Sequence, residues 1–273
     1  MRVISIINAK GGTGKTTTAY NLGAALAARG QRVLLIDNDQ QGSLTKSLGF
    51  EPDQLRLTLA NLMFQTIDMP DALPETVRQA VLHTDRLDLI AANRRLAGVA
   101  ARLVVMQTTQ PVFGSEDGGP RPELVLRAIV EQVRGQYDYI LIDCGPHTDL
   151  QMINALTASD CVIIPVQAHY LDAEGLPDTL ELVRRVKQAY HPALSIVGVL
   201  LTMFKPRTVL SRSVQQDILE QYGAQVKIFA QPIDYSIRVA EHPAFGQSLL
   251  EHAPDCPAAR SYEAMAEEVL ACG

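Results

Sequence analysis

Short apolar runs alternate with amphipathic stretches along this chain, at the spacing of strands joined by crossover helices. Val3 to Ile7 is apolar except for Ser5, the length of a strand covered on both faces. From Lys15 to Arg29 apolar positions recur with helical period, Gly30 ends the helix, Arg32 to Ile36 returns to a strand, and Asp37 to Gly42 reads as a polar loop at its carboxyl end. The same reading predicts further strands at 87–91, 139–142, 161–166 and 196–202. Helices are predicted at 97–105, 123–134, from Leu150, and at 176–190, 211–222 and 258–270. Residues 43 to 85 read as short helices broken by Pro52, Pro70 and Pro74. Gln110 to Pro122 reads as a turn-rich surface connection, and Glu241 to Gly246 as a loop. Strands separated by helices throughout predict an α/β fold with a doubly wound, mostly parallel sheet and helices on both faces. No linker divides the pattern, so one domain is expected over residues 1–273.

Composition sharpens this in three places. The chain is 47% hydrophobic with 5% aromatic residues and no Trp, which suits an Ala/Leu/Val/Ile core between sheet and helices. No apolar run approaches ~18 residues and no leader pattern opens the chain, so a soluble cytoplasmic protein is expected. Cys144, Cys161, Cys256 and Cys272 lack C-x-x-C spacing, which argues against a zinc site or a disulfide framework. Net charge is −6, yet Leu182 to Gln216 holds no acid and six bases: Arg184, Arg185, Lys187, Lys205, Arg207 and Arg212. The rest carries 18 bases against 30 acids, so the charge is polarised along the chain.

The candidate chemistry begins at Asn8, where N-A-K-G-G-T-G-K-T-T joins the first strand to the first helix. Gly11, Gly12, Thr13 and Gly14 let backbone N–H groups wrap an anion at a helix N-terminus, with Thr17 continuing that helix. Lys15 is placed to reach the β/γ-phosphates and Thr16 to offer a hydroxyl to Mg²⁺. Ala9 stands where the generic phosphate-loop pattern has its first glycine, and a second lysine, Lys10, precedes the glycine pair. An extra cation there calls for another negative charge, which a nucleotide shared between two subunits would supply. Asp143 ends the apolar run Y-D-Y-I-L-I-D, a carboxylate placed to hold Mg²⁺ through its water shell.

With both lysines in place, the chain resembles the deviant-Walker P-loop NTPases of the ParA/MinD superfamily, and ParA/Soj-type partition ATPases in particular. I-D-N-D-Q-Q-G-S resembles the superfamily's first switch. The resemblance implies that Asp39 orients the attacking water and takes part in metal binding, with Asp37 in support; Gln40 replaces a usual proline. Residues 143–167 resemble the second switch, with Gly145 for a common proline and His147 for a common serine. Residues 198–208 and 240–246 also match, while Ile233–Ser236 reads I-D-Y-S where the family often has I-P-R-N. The resemblance implies ATP and Mg²⁺, and an ATP-bound sandwich homodimer in which Lys10 crosses to the partner's nucleotide. It further implies slow hydrolysis stimulated by a ParB-like adaptor, and association with the nucleoid.

Non-specific double-stranded DNA is the expected partner, through Arg184, Arg207 and Arg238, with Lys187, Lys205 and Arg212 in support. Positioning of a protein organelle uses the same ATPase engine and stays open. So do three other classes: a MinD-like membrane switch, an iron–sulfur reductase sharing a cluster between subunits, and a deviant-Walker metabolic ligase. The acidic C-terminus, S-Y-E-A-M-A-E-E-V-L-A-C-G, counts against a membrane anchor.

Overall fold

A computed structural model describes residues 1–109, 121–169 and 175–272; the connection expected at 110–122 falls almost wholly outside them. Seven strands are described: β1 (Arg2–Ile6), β2 (Val33–Asn38), β3 (Val81–His83), β4 (Asp88–Ile90), β5 (Tyr139–Cys144), β6 (Cys161–Gln167) and β7 (Ser195–Thr202). They form one sheet in the order β3-β4-β2-β5-β1-β6-β7. Every neighbouring pair is parallel except β3 with β4.

The described helices are α1 (Lys15–Ala27), α2 (Ser43–Ser47), α3 (Leu59–Asp68), α4 (Leu73–Ala80), α5 (Leu96–Thr109) and α6 (Val125–Gln132). They continue with α7 (Leu150–Ala158), α8 (Gly175–Ala189), α9 (Val209–Tyr222), α10 (Ile237–Glu241), α11 (Leu249–His252) and α12 (Pro257–Ala271). Alternation along the strands makes two cores. Val3, Leu34, Ile36, Ile140, Ile142, Val162 and Ile164 face one side, packed with buried residues of α3 to α9. Ile4, Ile6, Leu35, Leu141 and Ile163 face the other, where α1 and α12 lie together. This is the expected doubly wound arrangement. Tyr262, Met265, Ala266 and Val269 of α12 are fully buried there, so the apolar face of the last helix is used inside the molecule.

Four local readings change. Strand β3 was not foreseen, because three half-exposed residues following straight on a helix carry no periodic signal. Asp37 and Asn38 belong to β2 rather than to a loop, since β2 and β5 stay paired to their ends, Asp37 opposite Asp143 and Asn38 opposite Cys144. Pro74 sits in the first turn of α4, where a missing N–H costs no helical bond, so it opens that helix instead of breaking it. Residues 241–246 are the end of α10 and a 3₁₀ turn, His242–Phe245, closed by Gly246 in the left-handed region.

Gly198 of β7 lies beside the register shift with β6, and a Cβ there would stand 2.9 Å from the Phe229 ring and 3.2 Å from the Lys227 carbonyl. Gly198→Ala is expected to destabilise by about 1–3 kcal/mol, read as a lower urea midpoint at unchanged slope. A midpoint equal to wild type would show that the ring yields freely.

Candidate nucleotide site

The connection from β1 leads to β2 on one side of the sheet and that from β5 leads to β6 on the other, so the carboxyl ends of β1 and β5 form the switch point where α/β sheets bind ligands. The chain leaves β1 there and enters a tethered loop. Asn8 Nδ2 donates to the Pro165 carbonyl at 2.7 Å, and its Oδ1 accepts the Lys10 N–H at 2.8 Å. Ala9 N donates to Thr179 Oγ1 at 3.2 Å, and Thr202 Oγ1 donates to the Thr13 carbonyl at 2.9 Å. Gly12 and Gly14 take φ of 76° and 85°, a region that L side chains rarely adopt. Gly14 caps α1 without a side-chain acceptor, which leaves the first-turn N–H groups, those of Thr16 and Thr17 included, facing the loop. Thr13 Oγ1 is buried with no hydrogen-bond partner. A loop with these unpaired donors is built for an anion.

Two lysines serve the loop differently. Lys15 is 7% exposed and its ammonium donates to the Lys10 carbonyl at 2.8 Å. Burial pulls its pKa down, while Asp143, Cys144 and Asp39 pull it back up. The Lys10 side chain lies against Gly175 of α8, where a Cβ would stand 3.3 Å from the lysine's own Cβ. Gly11 is exposed at the outer edge of the loop.

Strand pairing brings the acids to the same place. Ile6, Asp143 and Asp37 stand in register on β1, β5 and β2. Asp37 is fully buried and accepts from Thr45 N at 2.8 Å, Thr45 Oγ1 at 2.7 Å and Asp39 N at 3.2 Å. Burial pushes its carboxyl up to about 6 in spite of those donors. Asp143 is also fully buried, and neither of its oxygens completes a hydrogen bond. Burial first, and the neighbouring Asp37 second, drive its carboxyl well above the usual range, partly offset by the nearby Thr16 hydroxyl. Asp39 accepts from Gln41 N at 3.0 Å, and its carboxyl lies against Gly145, where a Cβ would be 3.3 Å from Cγ. An orphaned carboxylate beside a threonine hydroxyl fits a hydrated divalent cation. Among the described residues no three His, Cys, Asp or Glu side chains converge as a metal site, so such a cation has to draw most of its ligands from phosphate and water.

Sequence reasoning did not find the cavity beside the loop. A space of about 200 Å³ opens at Gly14 and Thr17 and is walled by Met203, Ile233, Val239, Ala240 and Tyr262, with Thr202, Asp234, Tyr235 and Ser236 as its polar members. Met203 is the non-glycine residue with positive φ, 51°, among the described residues, a strained backbone at the cavity wall. The signals available were the I-D-Y-S departure and the strand end at Thr202.

The basic candidates lie on elements following β6 and β7, and three are not free. Arg184 and Arg185 both bond Glu181, which stands one residue outside the acid-free stretch, and Arg238 pairs with Glu241 at 2.9 Å. Lys205 Nζ lies 4.6 Å from the Tyr235 ring centroid. Lys187, Arg207 and Arg212 are exposed. The local excess of positive charge is therefore smaller than the sequence window implies.

The buried acids set a pH dependence. Unfolding lowers Asp37 from about 6 to its ordinary 3.8, so between those values the folded chain keeps a proton that the unfolded chain has lost. The contribution of this pair to stability therefore falls as pH rises through that window, and the raised Asp143 extends the fall upward. Asp143→Asn should flatten the decline of the urea midpoint with pH in nucleotide-free protein. Superimposable profiles for variant and wild type would overturn this.

Comparison with known proteins adds lineage. Residues 1–196 match the family AAA_31, an AAA domain. The chain is 38% identical over 270 residues to the chromosome partitioning protein ParA of Caulobacter vibrioides, covering 99% of this chain and 94% of that one. It is 38% identical over 272 residues to the sporulation initiation inhibitor protein Soj of Bacillus subtilis, covering 100% and 99%. Cobyrinic acid a,c-diamide synthase from Mycobacterium smegmatis, solved with an ATP analog and magnesium, superposes with TM-score 0.81 at 31% identity, over 99% of this chain and 94% of that one. A McdA–ATP complex from Cyanothece gives 0.80 at 26%, over 98% and 96%. A family match over residues 1–196 and identity running the length of both chains leave one assignment: the chain belongs to the AAA_31 family, and within it to the ParA/MinD-type ATPases.

Proposed function

We propose that this chain is a DNA-partition ATPase acting as one domain over residues 1–273. ATP closes two copies into a sandwich homodimer, the dimer binds double-stranded DNA without sequence preference, and hydrolysis stimulated by a ParB-like adaptor releases it. The observation that carries the reading is the pair of lysines on one phosphate loop, Lys15 buried toward Asp143 and Lys10 on the half-buried flank. One loop thereby has a cation for its own nucleotide and another at its edge for a neighbour's.

In this reading Lys15 exchanges the Lys10 carbonyl for β/γ-phosphate oxygens, a stronger, charge-assisted partner. The backbone of Gly11, Gly12, Thr13 and Gly14 and the first-turn N–H groups at Thr16 and Thr17 cradle the phosphates. Thr16 and, through water, Asp143 with Asp39 alongside would hold Mg²⁺, which would supply charge neutralisation on the phosphates. Asp39 orients the attacking water, and Asp37, tied to Thr45 and to the Asp39 N–H, fixes the strand end that carries it. Lys10 of the second copy completes the charge stabilisation, which makes turnover depend on dimerisation.

The family relatives named for chromosome partitioning support DNA as the track, with positioning of a protein organelle as the alternative. For a membrane switch the terminal helix would have to free its apolar face from α1, and no described helix is long and apolar enough to cross a membrane. Against an iron–sulfur reductase, Cys144 is buried at the end of β5, while Cys161 opens β6 and Cys256 and Cys272 flank α12. A metabolic ligase would turn over rapidly with a small substrate and ignore DNA.

Lys15→Ala should lose nucleotide binding. Lys10→Ala should bind ATP yet remain monomeric by light scattering and lose dimer-dependent hydrolysis; a monomeric variant hydrolysing at the wild-type rate rules out the shared site. Asp39→Ala should form the ATP dimer with hydrolysis reduced at least ~100-fold, and failure to dimerise would remove Asp39 from the catalytic role.

Six candidate cations, Arg184, Lys187, Lys205, Arg207, Arg212 and Arg238, imply DNA affinity falling with salt at a log–log slope near −5 if ~6 phosphates are neutralised. Arg207→Ala should reduce that slope by about 1 while ATP binding stays unchanged. A slope near zero in wild type would reject the basic face as a DNA surface.

A further inference from the structure

The cavity beside the phosphate loop holds a carboxylate that no donor or cation engages among the described residues. Thr202 spends its hydroxyl on the Thr13 carbonyl, and Ser236 Oγ accepts the Arg238 N–H as the cap of α10. Asp234, in contrast, has no hydrogen bond and no ion pair from its carboxylate among the described residues. Burial alone raises its carboxyl, with no donor or cation offsetting it, although Lys205 reaches the adjacent Tyr235.

Nor is this carboxylate on a loose loop. Ile233 N donates to the Leu201 carbonyl at 2.8 Å, Phe204 N to the Ile233 carbonyl at 2.9 Å, and Tyr235 N to the Phe204 carbonyl at 2.8 Å. These bonds lay residues 233–235 alongside the continuation of β7, with Asp234 bridged to Phe204. The carboxylate is thus fixed to the sheet, at the wall of a space that starts where the phosphate loop meets α1.

The remaining walls, Met203, Ile233, Val239, Ala240 and Tyr262, are apolar or aromatic and suit a flat heterocycle. A carboxylate only accepts hydrogen bonds, so it favours a ring edge bearing N–H donors and repels one bearing a carbonyl. Adenine offers its exocyclic amine, and guanine its ring N–H and amine together. Hypoxanthine has no amine and carries an oxygen where adenine has the amine.

Building on the ATPase reading above, we propose that Asp234 is the base-reading residue of this site, selecting purine nucleotides that present an exocyclic amine to its carboxylate. Position 234 is one of those at which this chain departs from the pattern of the family it resembles, so the selection is a property of this sequence.

Calorimetric titration of the full chain with Mg²⁺ complexes of ATPγS, GTPγS and ITP tests this, with inorganic tripolyphosphate as the probe of the phosphate loop alone. In wild type, ITP should bind about 10- to 100-fold more weakly than the amine-bearing purine it is compared with. Whichever of ATPγS and GTPγS binds tighter identifies the base that supplies the amine. Asp234→Asn, whose amide can donate to the hypoxanthine oxygen, should shrink the gap to within about threefold while tripolyphosphate binding and the thermal midpoint stay at wild-type values. Equal binding of ITP and ATPγS by wild type, or an undiminished gap in Asp234→Asn, overturns the assignment and leaves the ATPase reading standing. Failure of all three nucleotides to bind wild type overturns both.

Discussion

The structure turns on two carboxylates that parallel strand pairing forces together out of water. Asp37 and Asp143 stand opposite each other at the ends of β2 and β5, both fully buried. Backbone registry decides this, not attraction, and like charges so placed cannot both ionise cheaply. Asp37 is compensated by Thr45 and the Asp39 N–H, whereas Asp143 has only the buried Lys15 and the Thr16 hydroxyl near it. The whole end of the sheet is therefore short of positive charge on its inner side. The divalent cation of a bound nucleotide would offset that shortage next to the carboxylate nearest the loop, the one left without partners.

Much of this was legible because neighbours in the sheet were also recognisable as pieces of sequence. β1, the glycine loop and α1 are contiguous, and the apolar run ending at Asp143 marks its own strand end. The reading failed where long-range pairing overrode local pattern. Asp37 looked like the start of a polar loop, because N-D-Q-Q-G after it is turn-like; only pairing with β5 through Asn38 makes it strand and buries it. The base-side cavity was illegible for the same reason, since Gly14, Met203, Asp234 and Tyr262 meet only through the fold. β3, with three residues, was below any periodic signal.

Charge counting along the sequence misled in a simpler way. The acid-free stretch from Leu182 to Gln216 is real, but α8 places Glu181 one turn from Arg184 and Arg185 and bonds both. Arg238 is likewise tied to Glu241 on the same short helix. Exposed pairs of this kind are worth at most ~1 kcal/mol, so a strongly charged ligand can pull such arginines away. In the proposed DNA complex, Lys187, Arg207 and Arg212 are exposed and would carry the larger share of the phosphate attraction without such an exchange.

The contact between the two lysines links the inner and outer halves of the loop. Lys15 reaches the Lys10 carbonyl with an ammonium that burial destabilises, so this neutral acceptor is a weak partner for a desolvated charge. Phosphate oxygens outcompete a carbonyl for that ammonium. Once Lys15 turns to them, the peptide of Lys10 keeps its N–H bond to Asn8 and its packing on Gly175 but loses its inner tether. In the proposed dimer, the residue that would meet the second copy is thus the residue whose backbone would register whether the first nucleotide has arrived. In that reading the ordering, own phosphate first and partner afterwards, would follow from one hydrogen bond and the burial of one amine.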